Sequence, residues 1–381
     1  MGRGIFQGKR LREAREARGL TGVTLSELVS VSSAAISQYE TEANAPSHPV
    51  VVELAKQLRV DPSFFLRPSR DHSDRVIFWR SRVAATKLQR SRSIHKYGWL
   101  LDVCDVLSRH IEFPKVNIPT DNSLRQPWTL REEDIEDVAS DLREQWRLGD
   151  GPIHNLVSAM ERNGVIVARN RLDADHLDAF SEWRDDNSRP YVVLGSDKQS
   201  EARSRMDAAH ELGHMILHRN VSCKEFHTSS IHKVMETQVA RFASALLLPE
   251  ASFLEDLYSV SLDAFRDLKA RWRVSIAAMI FRARDLGVID EAQARSLWIA
   301  MSRRKWRKCE PGDAESRPEE PTLIREAFDL LLDSGRLDPE SLELELGIGL
   351  SDIEDVTGLP QGYLRNANSS PLKLRFADQS G

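Results

Sequence analysis

Apolar positions recur at helical spacing through most of this chain and break it into blocks. Leu11, Ala14, Ala17 and Leu20 form the first stripe, which ends at Gly19-Leu20. Leu25 with Leu28-Val29 marks a second short helix. Ser32 through Tyr39 marks a third, with Ile36 inward. Val51, Leu54, Ala55 and Leu58 mark a fourth, and Phe64-Phe65-Leu66 closes the group. Short helices this close together, with a tight turn near Ser30-Val31-Ser32, predict a helix-turn-helix bundle over residues 1–70. Leu100, Leu101, Val103, Val106, Leu107 and Ile111 then carry a longer helix up to Pro114, and the prolines from there to Pro127 read as a boundary. Residues 71–127 are therefore expected to be a helical linker.

The pattern changes at Trp128. Thr129 to Leu148 is helical, with Thr129-Leu130-Arg131-Glu132 opening it as a capping box. Asn155 to Asn163 is another helix, stopped at Gly164. Val165 to Ala168 and Tyr191 to Leu194 are β-rich runs bounded by turn residues, and Leu177 to Trp183 alternates as a strand between them. Three strands before a helix predict a small antiparallel sheet, with the Phe180 strand at its edge. Helices follow at Met206–His218, Val234–Leu248, Leu262–Trp272 and Ser275–Arg284, the last pair ending at Gly287. This sets a second domain at 128–290, so the fold class is α+β and mostly helical. Residues 291–381 hold a basic stretch, Ser302 to Lys308, an acidic one, Glu315 to Glu320, and helices near Leu323–Leu332 and Leu342–Val356. They read as a small helical appendage, either regulatory or for dimerisation, the second reading giving a homodimer.

Composition narrows the class. With 381 residues, 41% hydrophobic and 29% charged, the chain suits a protein of two or three domains. No apolar run approaches the roughly 20 residues that cross a bilayer, and the first residues have no long apolar core, so neither a membrane span nor a signal peptide is expected. Cys104, Cys223 and Cys309 are sparse and far apart, which fits a reducing cytoplasm. The net charge of −5 hides an asymmetry. Residues 1–100 hold 17 Lys and Arg against 9 Asp and Glu, a balance of +8; the remainder holds 36 against 49, or −13. A basic front and an acidic back imply that the front meets a polyanion, unless the charge is only unevenly spread. Arg75, Arg80, Arg82, Lys87, Arg90, Arg92 and Lys96, with Trp79 and Trp99 among them, either track phosphates or form the solvated face of a connecting helix.

The chemistry is concentrated in Met206 to His218. His210-Glu211-Leu212-Gly213-His214 places two imidazoles four residues apart, on one face of a helix, where both can reach one ion. Glu211 stands one step round, near the metal but off it, placed to take a proton from water. A zinc site that does chemistry needs a third protein ligand and an open position. Glu236, at the edge of the stripe formed by Val239, Phe242, Ala243, Leu246 and Leu247, is the candidate; its alternative is a solvated or capping glutamate. His218 lies about 80° round the helix from His210 and reads as a packing or supporting residue. His227, His232 and Tyr191 are candidates to steady an oxyanion, with surface histidines as the plainer reading.

Two resemblances add to this. The segments HELGHMILH and ETQVARFASALLLP resemble the ImmA/IrrE family of metallopeptidases, in which a His-Glu-x-x-His helix precedes a helix opened by a glutamate. The resemblance implies a zincin-like fold and one Zn2+ per chain, with His210, His214 and Glu236 as ligands and Glu211 as base. It also takes in Arg203-Ser204-Arg205 and Trp272 to Ile276; Val239-Ala240 stands where the family usually has Ala-Asn. Residues from Arg10 to Ser47 resemble the XRE, phage-repressor-like family, whose third helix enters the major groove. That implies DNA as a partner, with Ser33, Ala34, Ser37 and Gln38 facing bases. Gly22 stands where the family often has Gln.

The combined expectation is a cytoplasmic zinc endopeptidase joined to a DNA-binding domain. Its target would be a specific regulatory protein such as a transcriptional repressor, whose cleavage releases stress, phage or mobile-element genes. The competing reading is a DNA-binding regulator whose peptidase-like domain acts as a sensor or docking module.

Overall fold

A computed structural model of the chain describes residues 5–70, 76–81, 87–119, 127–171, 177–184, 189–196 and 200–367. It divides into two compact units, one built from 1–71, 85–112 and 324–381 and the other from 72–84 and 113–323. The segment 71–127 is thus shared between them.

In the first unit, α1 (Gly8–Ala17), α2 (Gly22–Val29), α3 (Ser33–Glu40) and α4 (His48–Leu58) bury Leu11, Ala14, Leu25, Ile36, Leu54 and Leu58. The turn between α2 and α3 falls at Ser30-Val31-Ser32, as the pattern predicts. Ser30 ends α2 in the left-handed region, φ 58°, and the Ser32 hydroxyl accepts from the Ala35 N–H at 3.1 Å to open α3. The linker helix α5 (Lys87–Ser108) packs on α1, with Trp99 fully buried and its Nε1–H donating to Glu13 Oε1 at 2.9 Å. Four further helices of this unit are Leu323–Asp333, Pro339–Leu346, Leu350–Thr357 and Tyr363–Ala367. The stretch Leu342–Val356, expected as one helix, is two. Gly347 takes φ 69° and its N–H closes onto Glu343 O at 2.8 Å, which terminates the first.

The second unit is built on a sheet of four strands among the described residues: β1 (Phe78–Ser81), β2 (Ile166–Asn170), β3 (Leu177–Arg184) and β4 (Arg189–Gly195), in the order β1-β3-β4-β2. Two expectations need correction. The sheet is mixed, because β2 runs parallel to β4 while β3 is antiparallel to both its neighbours. The Phe180 strand is internal; the edge position beside it is taken by β1, with Phe78 opposite Ser181 and Trp79 opposite Phe180. A four-residue strand without a clear period was not legible in the basic linker.

Helices α7 (Leu156–Arg162) and α8 (Glu201–Leu217) pack on the sheet; α10 (Ser229–Leu247) packs on α8, and α6 (Glu132–Gln145) on α10, with the short α9 (Cys223–Phe226) before α10 and Leu262–Trp272, Ile276–Asp285 and Glu291–Arg303 after it. One continuous core joins them, including Leu142, Met160, Val192, Leu212, Phe242, Phe265 and Ile280. The expected capping box at Thr129 is displaced. Helix α6 starts at Glu132, and the Arg131 N–H is bonded by the Asp134 carboxylate at 2.8 Å. Gly164 stops α7 with φ 88°, and a side chain there would strike the Val116 backbone at 2.5 Å. The first part of the expected appendage is bound to this unit. Glu319 pairs with the buried Arg205 and accepts from Val157 N–H, and Glu310 accepts from Ile276 and Ala277 N–H at the start of their helix. Arg75 and Arg82 of the basic run, residues 120–126 of the proline boundary, and 368–381 lie outside the described residues.

Candidate metal centre

The two histidine-bearing turns of α8 face α10 because the helices come close at Gly213. A Cβ on Gly213 would lie 2.9 Å from Phe242 Cδ1 and 3.3 Å from Val239 Cβ. Only a residue without a side chain permits that approach. Behind α8 lies β3, whose Trp183 Nε1–H donates to Met215 O at 2.7 Å.

This packing brings together the three residues that the sequence singled out. Ligand atoms of His210, His214 and Glu236 all lie within 4.8 Å of one another, the one such group of His, Cys, Asp and Glu among the described residues. Each imidazole faces its own carboxylate oxygen: His210 Nε2 to Glu236 Oε2 is 3.4 Å, and His214 Nε2 to Glu236 Oε1 is 3.4 Å. Tetrahedral ligands about 2.0–2.1 Å from zinc stand about 3.3–3.4 Å apart, so both separations suit that ion. Two neutral imidazoles and one carboxylate are also the donor set that zinc takes. Both histidines are buried, whereas the Glu236 side chain keeps 35% exposure, leaving one side of the cluster open.

Electrostatics agree with this assembly. Burial pushes the His214 pKa down to about 4, so the ring is neutral at pH 7. Burial alone would raise Glu236, but the adjoining His210 and His214 imidazoles outweigh it and hold the carboxyl well below the usual range. Glu211 is fully buried, and its Oε2 accepts from the Ser181 hydroxyl on β3 at 2.5 Å. Phe78 on β1 stacks over the His214 ring, 4.5 Å between centroids and 15° between planes.

The other candidates fall elsewhere. Glu225 closes a capping box with Ser222 at the start of α9. Asp207 is buried on α8 outside the cluster. His232 Nε2 approaches Glu236 Oε1 at 3.9 Å from the open side, while His227 is exposed and its ring touches Phe226. Tyr191 is buried on β4, its ring under the Arg184 guanidinium. Two contributors were not singled out from sequence: Ser181 and Phe78. For Ser181 a signal existed, since the alternation of β3 puts it on one face with Ala179 and Trp183. Phe78 had none, being over 130 positions away from its partner.

Residues 160–284 match the family described as the IrrE N-terminal-like domain. The second unit carries an IrrE-like peptidase domain. Both histidines, Glu211 and Glu236 fall inside that match. Phe78 lies outside it, so the IrrE-like domain is completed by a strand from the linker. Residues 8–63 match the family described as the helix-turn-helix domain, a DNA-binding fold. No curated protein matches the chain.

In that domain Ser33, Ala34, Ser37 and Gln38 form an exposed face of α3, while Ile36 and Tyr39 turn inward. The charge argument changes, however. From Gly19 to Ala55 the chain has no Lys or Arg, and Glu27, Glu40, Glu42 and Glu53 lie in that stretch. Many cations of the basic front are engaged within their own unit: Arg10 with Glu13, Arg15 with Glu40, Arg70 with Asp102, Arg18 with Asp352 and Lys96 with Asp355. The acidic partners from the C-terminal helices are remote in sequence, which is why the asymmetry overstated the basic surface. The basic run of the linker is divided between the units, Trp79 belonging to the sheet of one and Trp99 to the core of the other.

Proposed function

We propose that the IrrE-like domain is a zinc endopeptidase, with His210, His214 and Glu236 as ligands and Glu211 as general base. The observation that carries this is the convergence of two imidazole nitrogens and a carboxylate at zinc-ligand spacing, beside a buried glutamate. Bound there, zinc supplies Lewis acidity to the scissile carbonyl and to the attacking water. The Ser181 hydroxyl fixes Glu211 Oε2, which directs the carboxylate; Oε1 takes the proton of the water and returns it to the leaving amine. A peptide is held as an added strand along β1, the edge nearest the cluster, by backbone hydrogen bonds. His232, at the open side, is the group best placed to meet the developing oxyanion.

The substrate we infer is a regulatory protein, in particular a repressor acting on DNA that the helix-turn-helix domain also binds. The presence of both domains on one chain supports this, and base contacts are assigned to Ser33, Ala34, Ser37 and Gln38. No described helix is long and apolar enough to cross a membrane. The test identifies the DNA-binding proteins encoded next to this chain's gene and mixes the purified chain with each repressor among them. Cleavage that a chelator stops and zinc restores is expected; an intact repressor with zinc-loaded protein would refute the reading.

A further inference from the structure

On the side of His214 away from Glu236, a line of hydrogen bonds has no task in the scheme above. His218 follows one turn after His214 and is fully buried. Its Nδ1 lies 2.9 Å from His214 Nδ1, and its Nε2 lies 3.1 Å from Gln238 Oε1. An amide oxygen only accepts, so His218 Nε2 carries the hydrogen of that bond. A neutral imidazole protonated at Nε2 has a bare Nδ1, which is an acceptor. Two bare nitrogens form no bond, so His214 Nδ1 carries the hydrogen between the rings. His214 Nε2 is then left with a lone pair, and this is the atom that faces Glu236. Phe78, stacked on the same ring, sets its plane.

We propose that His218 and Gln238 are positioning residues that hold His214 in the one neutral tautomer able to present Nε2 to a divalent cation. The inference rests on the reading of the cluster as a metal site and adds to it how one ligand is made ready. Histidine ligands are oriented by the bond their second nitrogen makes, and losing that partner weakens metal binding by about 10–100-fold. Here the partner is another histidine rather than a carboxylate, and the direction of the whole line is set by the Gln238 oxygen.

The test uses zinc alone as the probe, on the full chain, by competition with a chromophoric chelator. His218→Asn places an oxygen where Nδ1 stood and keeps the acceptor; affinity should stay close to that of the unmodified chain. His218→Leu keeps bulk and removes the acceptor; affinity should fall by about 10–100-fold. A purely structural role would damage both variants alike, and equal affinities in the two would overturn the proposal. Nitrogen-15 NMR of the unmodified zinc-loaded protein gives a second reading that needs no variant to fold. His218 should be protonated at Nε2 and His214 at Nδ1, and a His218 protonated at Nδ1 overturns the proposal while leaving the metal site intact. An unmodified chain that takes up no zinc overturns the metal reading and this inference with it.

Discussion

Gly213→Ala tests whether the closeness of α8 and α10 makes the site. The added Cβ would meet Phe242 Cδ1 at 2.9 Å and Val239 Cβ and Cγ1 at 3.3 Å. Ordinary carbon contacts lie near about 3.5–4.0 Å, so the facing side chains or α10 itself must retreat by about half an ångström or more. Overpacking of this kind costs about 1–3 kcal/mol. Alanine in a helix returns about 1 kcal/mol relative to glycine. The net loss is therefore modest, about 1 kcal/mol, from the difference of those two effects. The metal site should suffer more. Val239 stands three residues after Glu236 on α10, so a retreat at Val239 carries Glu236 away from His210 and His214. Metal sites tolerate deviations of only about 0.2 Å, and zinc affinity should fall by at least about tenfold. Urea unfolding of the metal-free chain measures the first effect and chelator competition the second. An alanine variant more stable by about 1 kcal/mol, with unchanged zinc affinity, would show that helix propensity alone operates and that the close packing is not real.

Glu236→Ala should weaken zinc far more than Asp207→Ala or Glu225→Ala, and equal affinities across the three would remove Glu236 from the ligand set. Glu211→Gln should retain zinc but lose cleavage by at least about a hundredfold, the scale of general-base removal; unimpaired cleavage would exclude Glu211 as the base. The metal-free chain should lose stability as pH falls from about 6.5 towards 4. Burial pushes His214 down to about 4 and His218 down to about 3, so the unfolded chain, with histidines near about 6.5, takes up protons first and is favoured on acidification. A urea midpoint that does not move over that range contradicts the buried, neutral rings. Gln38→Ala should weaken binding to a preferred DNA site by about 1–3 kcal/mol while sparing non-specific binding, as a two-salt titration would reveal; equal losses on both DNAs would take Gln38 away from base readout.

The sequence by itself determined what depends on near neighbours. His210 and His214 share a helix face because four residues make about one turn, and Glu211 follows from the same count. The helix-turn-helix was legible because its inward residues, Leu25, Val29 and Ile36, and the turn at Ser30-Val31-Ser32 lie within a few positions of each other. Glu236 was visible only as a candidate, since spacing says nothing of which helix face meets which. Tertiary structure decided that, through the contact at Gly213. It also decided the sheet. The alternation in β3 marks a strand but carries no information about neighbours, so the arrival of Phe78–Ser81 at its edge could not be read from the linker. The misjudged basic front has the same cause. Charge counted along a chain assumes that each cation faces solvent, whereas Arg18 and Lys96 meet Asp352 and Asp355 from the far end of the sequence. Properties set by one element's period are local and can be counted. Pairings between elements depend on which surfaces fold against each other, and only the folded chain fixes those.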